Sequence, residues 1–350
     1  MKPIFKFQTN LFVRNLEAGN LWENFFISAI FSLLSLRTML KLTGYPQIGS
    51  GQFHVAHMLF GGLFMVAALI LAFLFLNKEA KQLASVLGGL GFGAFIDELG
   101  KFITSDNNYF FEPAIAFIYI TFVIIFLIIR ASEKYIDISE KDYAVNALEI
   151  FKDVITSDLD ETEKKRALAF LNKSGNDIAV VKALKTALKK AEAQKRKETY
   201  LVEEIKIILS NLYIQIVQNK MFSKAIISFF VLSSLYSFTQ SLINFRSVES
   251  FFDLGQLVSS TFSGVIVLIG TYALRRGSRL VAFEIYKYAV LVNIFLTQFF
   301  VFYHEQLSAI IELVLAVTVY IALRYLISQE ELIDKTSFKS PWQRVREFLF

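Results

Sequence analysis

Eight stretches of about twenty mostly apolar residues recur along this chain, and that recurrence constrains its fold more than any other feature. A helix rising about 1.5 Å per residue crosses the hydrocarbon layer of a bilayer in roughly 20 residues. Inside hydrocarbon every backbone N–H and C=O must be satisfied within its own segment, so such stretches span as helices. The runs are Glu23–Gly44, His54–Leu76, Leu83–Thr104, Glu112–Ile129, Phe222–Phe245, Leu254–Leu274, Leu280–Tyr303 and Leu307–Ile327. The predicted fold class is an all-α polytopic membrane protein with about eight transmembrane helices in two four-helix halves.

The pattern divides the chain into five parts. Residues 1–21 form an interfacial N-terminus, 22–130 the first transmembrane half, 131–221 an inserted helical domain, 222–328 the second half, and 329–350 a basic amphipathic tail. In the inserted domain, charges are dense and apolar residues recur at helical spacing, which predicts helices over 141–155, 159–173, 177–197 and 199–219. Asp158 with Glu161 resembles a capping box, and Gly175 is a helix stop. The tail sets Lys339, Arg344 and Arg346 among Trp342, Phe348, Leu349 and Phe350, a mixture suited to an anionic membrane surface.

An even number of spans puts both termini on one side. The N-terminus, Lys78, Lys81, the inserted domain, Arg275, Arg276, Arg279 and the tail share that side, while the opposite loops hold little Lys or Arg beyond Arg246. The positive-inside rule makes that side cytoplasmic and predicts a multi-pass protein of the cell's inner (plasma) membrane. With no cysteine in the chain, thiol catalysis, thiolate metal sites and disulfides are excluded. The basic run Lys189, Lys190, Lys195, Arg196 and Lys197 is expected to touch lipid rather than nucleic acid, because acidic residues balance it.

The two halves fit a parallel repeat about an axis along the membrane normal. A shift of 199 residues sets Ser35-Leu36 on Ser234-Leu235, Phe53 on Phe252, His54 on Asp253 and His57 on Gln256; a slightly smaller shift sets Asp97 on Asn293. Paired halves of this kind commonly enclose a site.

The segment from Gly88 to Phe110 reads as a single spanning helix that carries Asp97, Glu98 and Lys101. Ionisable groups in hydrocarbon cost several kcal/mol unless they are paired or reach water, so they mark a site or a pathway. Arg37 and Asp97 each lie seven residues from the outer end of their span, roughly 10 Å deep, where pairing would remove the cost of both. Lys101 can pair with either acid within its own helix. The spacing Gly89-x-x-x-Gly93 permits close approach of a neighbouring helix. Asp106 and Asn108 in the turn above Asp97, Asn293 in the seventh span and Glu312 in the eighth are candidate pathway residues, and ion pairs that merely hold helices together are the competing reading. The fifth span is rich in hydroxyl groups, which either join helices or line a cavity.

His54 and His57 share a helix face at the outer side, and His304 ends the seventh span. Three imidazoles with Asp253, Asp97 or Glu98 could supply the ligands of a catalytic zinc site. Interfacial histidines bound to water or headgroups are the plainer account. Three functions therefore compete: a transporter or channel, proton-coupled through Asp97 and Glu98; a membrane-embedded zinc hydrolase acting on a lipid-type substrate; and a sensor or scaffold. Membrane lipids and an unidentified small molecule, ion or lipid are the expected partners, and a homo-oligomer is left open.

Overall fold

The computed structural model describes residues 12–44, 56–135, 138–156, 159–175, 179–192, 220–243, 250–333 and 345. Every regular element among them is helical. In chain order these are α1 (Ala18–Thr43), α2 (His57–Leu74), α3 (Lys78–Ile96), the short α4 (Leu99–Ile103), α5 (Ala114–Tyr135), α6 (Glu140–Ile155), α7 (Glu161–Lys173), α8 (Ala179–Lys190), α9 (Lys220–Ile243), α10 (Phe251–Arg275), α11 (Arg279–Val292), α12 (Gln298–Glu305) and α13 (Ala309–Ile333). Among the described residues, five helical stretches are long and apolar enough to cross a membrane: Ala18–Thr43, His57–Leu74, Ala114–Glu133, Phe251–Arg275 and the run Arg279–Glu330. This is a helical protein with several apolar helices of membrane-spanning length. The predicted 199–219 helix, most of the tail, Arg246 and His54 lie outside the described residues.

Two compact units emerge. One comprises Met1–Tyr109 with Ile125–Thr199, the other Phe110–Ile124 with Tyr200–Phe350.

In the first unit α1 and α2 both pack on α3. Glycine makes this possible. A Cβ on Gly89 would strike the Phe25 carbonyl, one on Gly93 the Ala29 carbonyl, and one on Gly91 the Gly61 carbonyl. Ser32 Oγ donates to Leu90 O at 2.8 Å across the α1–α3 seam, and Ser85 donates to Leu21 O. Leu21, Phe25 and Ala29 thus oppose Ser85, Gly89 and Gly93, so α1 runs parallel to α3, while Ala68 against Gly88 and Gly61 against Gly91 make α2 antiparallel.

Helices α6, α7 and α8 enclose their own apolar core of Ala147, Ile150, Leu159, Ala167, Leu171, Val181, Leu184 and Leu188. Capping boxes start α6 (Ser139 with Asp142) and α7 (Asp160 with Glu163). The α7 box therefore falls two residues past the predicted Asp158 and Glu161, because Asp160 is the residue whose side chain accepts from the third helical N–H. Gly175, at φ 74°, follows α7 in the left-handed conformation that glycine tolerates best.

This three-helix cap is tied to the ends of the apolar helices. Lys78 Nζ lies 2.5 Å from Glu163, Lys81 Nζ lies 2.5 Å from Glu149, Lys152 donates to Leu76 O, and Arg166 pairs with Glu17. The backbone N–H groups of Arg14 and Leu16 donate to Asp142 (3.1 Å) and Asn146 (2.9 Å). Beneath these contacts, burial and then the neighbouring Glu163 carboxylate push the Asp153 carboxyl up to about 6.

In the second unit α10 and α13 pack around α11, with Ile227, Phe230, Val267, Tyr286, Ala289, Val290, Val319 and Leu323 in the core. The α11 helix gives way at Asn293–Thr297 to a single π-turn before α12. The Tyr119 hydroxyl donates to the carbonyl of Ile294 within that turn, and Gln298 Nε2 donates to Ala309 O at 2.8 Å.

Candidate functional site

The predicted unbroken helix from Gly88 to Phe110 is interrupted at Asp97 and Glu98. Glu98 leaves helical geometry at φ −84°, ψ 9°, and α4 restarts at Leu99. The Lys101 N–H, which in a continuous helix would donate to Asp97 O, instead donates to Glu98 O at 3.0 Å. The released Asp97 carbonyl accepts from Arg37 at 3.3 Å. Pairing of these two residues from different helices is what the hydrophobic pattern alone does not encode, and it stabilises the break.

The α1–α3 register explains why Arg37 arrives there. Extending the Ala29–Gly93 level by one turn puts residue 33 beside Asp97, and helical side chains lean toward the helix N-terminus, so Arg37 reaches back onto it. Extending the antiparallel α2–α3 register beyond Gly61 brings His57, the first residue of α2, to the same level.

The side chains interlock. Arg37 Nε lies 2.5 Å from Asp97 Oδ1. The other Asp97 oxygen accepts from Tyr109 Oη at 2.7 Å and meets His57 Nε2 at 2.9 Å. His57 Nδ1 lies 3.0 Å from Glu98 Oε1, which also accepts from the Met58 N–H at 3.4 Å. Glu98 therefore satisfies one of the open donors at the start of α2, where negative charge is favoured. Its second oxygen lies 3.2 Å from Lys101 Nζ. Arg37 and Lys101 lie 5.7 Å and 5.4 Å from the centre of the Tyr109 ring. Both carboxylates are buried, at 0% and 1% exposure, whereas the side chains of Arg37, His57 and Lys101 are 13%, 20% and 25% exposed. The acids form the floor and the cationic groups the rim.

A hydrogen-bond inventory shows what this array can do. Neutral imidazole has one N–H and one lone pair, yet both His57 nitrogens face carboxylate oxygens. The arrangement is satisfied either by imidazolium between two carboxylates or by neutral imidazole beside one carboxylic acid. Both descriptions contain one proton more than neutral imidazole with two carboxylates. Arg37 and Lys101 balance Asp97 and Glu98, so that proton is a net positive charge shared by three groups.

The remaining predicted residues are placed as follows. Asp106 is exposed, and Asn108 is half-buried, its N–H donating to Thr104 Oγ1 at 2.7 Å. Asp253 forms the capping box of α10 with Ser250 and lies 3.3 Å from His304 Nε2. Asn293 opens the π-turn, and Glu312 sits in the first turn of α13. Among the described residues no three His, Asp or Glu side chains are grouped to hold a metal. The sequence marks Tyr109 only as an aromatic residue ending a polar turn over the candidate acids. No family model, curated protein or solved structure matches this chain.

Proposed function

We propose that the chain is an integral membrane transporter coupled to protons, with His57, Asp97 and Glu98 as its proton-binding array. The observation that carries this reading is His57 held between two fully buried carboxylates at a helix break. Buried ionisable groups within apolar helices are expensive and are retained for ion or proton movement. Broken helices at such a depth are a recurrent way to build a transport site. Protonation changes the net charge of the array by one, and the rim residues Arg37 and Lys101 respond directly through their bonds to the two acids.

The apolar runs support about eight crossings in two halves, with the cap, both termini and the basic turns on the cytoplasmic side of the inner (plasma) membrane. The interruption of α3 at Asp97 and of the α11–α12 helix at Asn293, two positions aligned by a shift slightly smaller than the 199 residues of the repeat, supports related halves.

The test is solute-evoked charge movement. Wild-type and Asp97→Asn protein, reconstituted and adsorbed on a solid-supported membrane, are challenged with pools of amino acids, organic acids, sugars and cations. At least one pool evokes a current in wild type that the variant lacks although it inserts equally. Equal currents in both, or none from any pool, would refute the assignment.

A further inference from the structure

The cap presents an apolar face that its own core does not use. Val145, Leu148 and Ile155 on α6 are 45%, 48% and 79% exposed. At 3.6 residues per turn they share an arc of about 120° with Glu149 and Lys152, opposite the core residues Ala147 and Ile150. Glu149 and Lys152 are the two side chains through which α6 holds the α2–α3 turn, bonding Lys81 and the Leu76 carbonyl. The apolar face therefore points the same way as the end of an apolar helix. That end is exposed apolar surface as well: Phe73, Leu74, Phe75 and Leu76 are all half or more accessible, immediately before Lys78.

A second constraint acts from the other end. The apolar helix α5 ends at Tyr135 and α6 begins at Glu140, so the first residue of α6 lies no more than about 18 Å from the end of α5. Charge argues in the same direction. Around Val145, Leu148 and Ile155, Lys152 and Lys81 both pair with Glu149, and Lys141 stands exposed on the same arc in the first turn of α6. Apolar surface level with the helix ends, edged by a basic side chain, is the profile of a helix lying in a membrane–water interface.

We propose that α6 lies in that interface, with Val145, Leu148 and Ile155 in contact with lipid at the headgroup–acyl boundary. The inference rests on the membrane reading of the apolar helices and adds a lipid-binding face to the cap. Lipid composition at the cytoplasmic surface thereby acts on α6, and through Glu149 and Lys81 on α3, whose far end carries Asp97.

The absence of native cysteine makes the test clean. Single variants Leu148→Cys and Ile155→Cys of the full chain carry a nitroxide in phosphatidylcholine–phosphatidylglycerol vesicles. Relaxation by oxygen is compared with relaxation by a water-soluble nickel chelate. Leu69→Cys on the exposed apolar side of α2 and Lys165→Cys on the exposed side of α7 serve as references. Labels at 148 and 155 are expected to favour oxygen, as at 69, at a depth of about 5–10 Å, while 165 favours nickel. If 148 and 155 favour nickel while 69 favours oxygen, the interfacial face is refuted and the membrane reading stands. If 69 also favours nickel, both fall. Protection from both reagents at 148 and 155 would mean that protein covers the face, and would overturn the proposal.

Discussion

Arg37 Nε lies 2.5 Å from Asp97 Oδ1 while the same guanidinium donates to the Asp97 carbonyl, so one side chain both neutralises a buried charge and closes a helix break. Arg37→Leu removes the guanidinium from a buried carboxylate that keeps Tyr109 and His57, and leaves the released Asp97 carbonyl without that donor. The expected loss is about 3–5 kcal/mol of stability, read as a lower thermal transition in detergent. Arg37→Lys is expected to recover only part of it, because an ammonium cannot reproduce the planar, two-pronged contact. The double variant Arg37→Leu/Asp97→Leu should be more stable than Arg37→Leu alone. Additive losses in this cycle would show the pair to be uncoupled.

Glycine spacing on α3 sets the site's geometry at a distance. Gly93→Ala puts a methyl group into the Ala29 carbonyl and has to push α1 away, at a cost of about 1–3 kcal/mol. The displacement carries Arg37 with it, so activity should fall further than stability does. Gly62→Ala is the control, because nothing lies within 4 Å of its added carbon; it is expected to be neutral or slightly stabilising. Equal effects at the two positions would contradict the packing described for α3.

The cap should show a pH dependence of definite sign. Burial and Glu163 raise the Asp153 carboxyl to about 6 from its ordinary 3.8, against the opposing charges of Lys78 and Lys152. Between those values the folded state holds a proton that the unfolded chain has released. This residue's contribution is therefore most favourable below about pH 4 and is lost as pH rises through about 6. Asp142 acts in reverse. Burial opposes its ionisation, but hydrogen bonds from Ser139 and Arg14 prevail and hold its carboxyl below the usual range, so its contribution is lost as pH falls. Melting curves of Asp153→Asn should exceed those of wild type at neutral pH, and the difference should close on acidification. A constant difference would remove Asp153 as the cause.

How much of this was legible in the sequence follows from what helical periodicity encodes. Counting residues from the span ends set Arg37 and Asp97 at one depth, and i, i+3 spacing linked Glu98 to Lys101. The α3 glycines announced close packing, and helical periodicity in the inserted domain was plain enough to place α6, α7 and α8. Depth and face, however, do not tell which neighbouring helix meets which face. The break at Asp97–Glu98 depends on a guanidinium sixty residues earlier in the chain, so local pattern continued the helix through it. Imidazole spacing, which is visible in the sequence, offers His57 with His54 and His304 as one candidate ligand set, whereas its two carboxylate neighbours are not visible there. Tyr109 escaped for the same reason: its hydroxyl acquires meaning only once the turn folds back over Asp97.

Tyr109→Phe separates positioning from folding. It removes one donor from Asp97 while keeping the ring beside Arg37 and Lys101. The fold should tolerate the loss, with a change of about 1 kcal/mol. The pH profile of solute-evoked current should nonetheless move relative to wild type. An unchanged profile would reduce Tyr109 to a packing role.

The most direct test of proton coupling is luminal pH. Proteoliposomes loaded with a pH-sensitive dye receive the same solute pools, with wild type, Asp97→Asn and Glu98→Gln compared at equal incorporation. The account predicts that solute entry acidifies the lumen with wild type and leaves it unchanged with either variant. Solute entry without acidification, or acidification undiminished in Asp97→Asn, would contradict it.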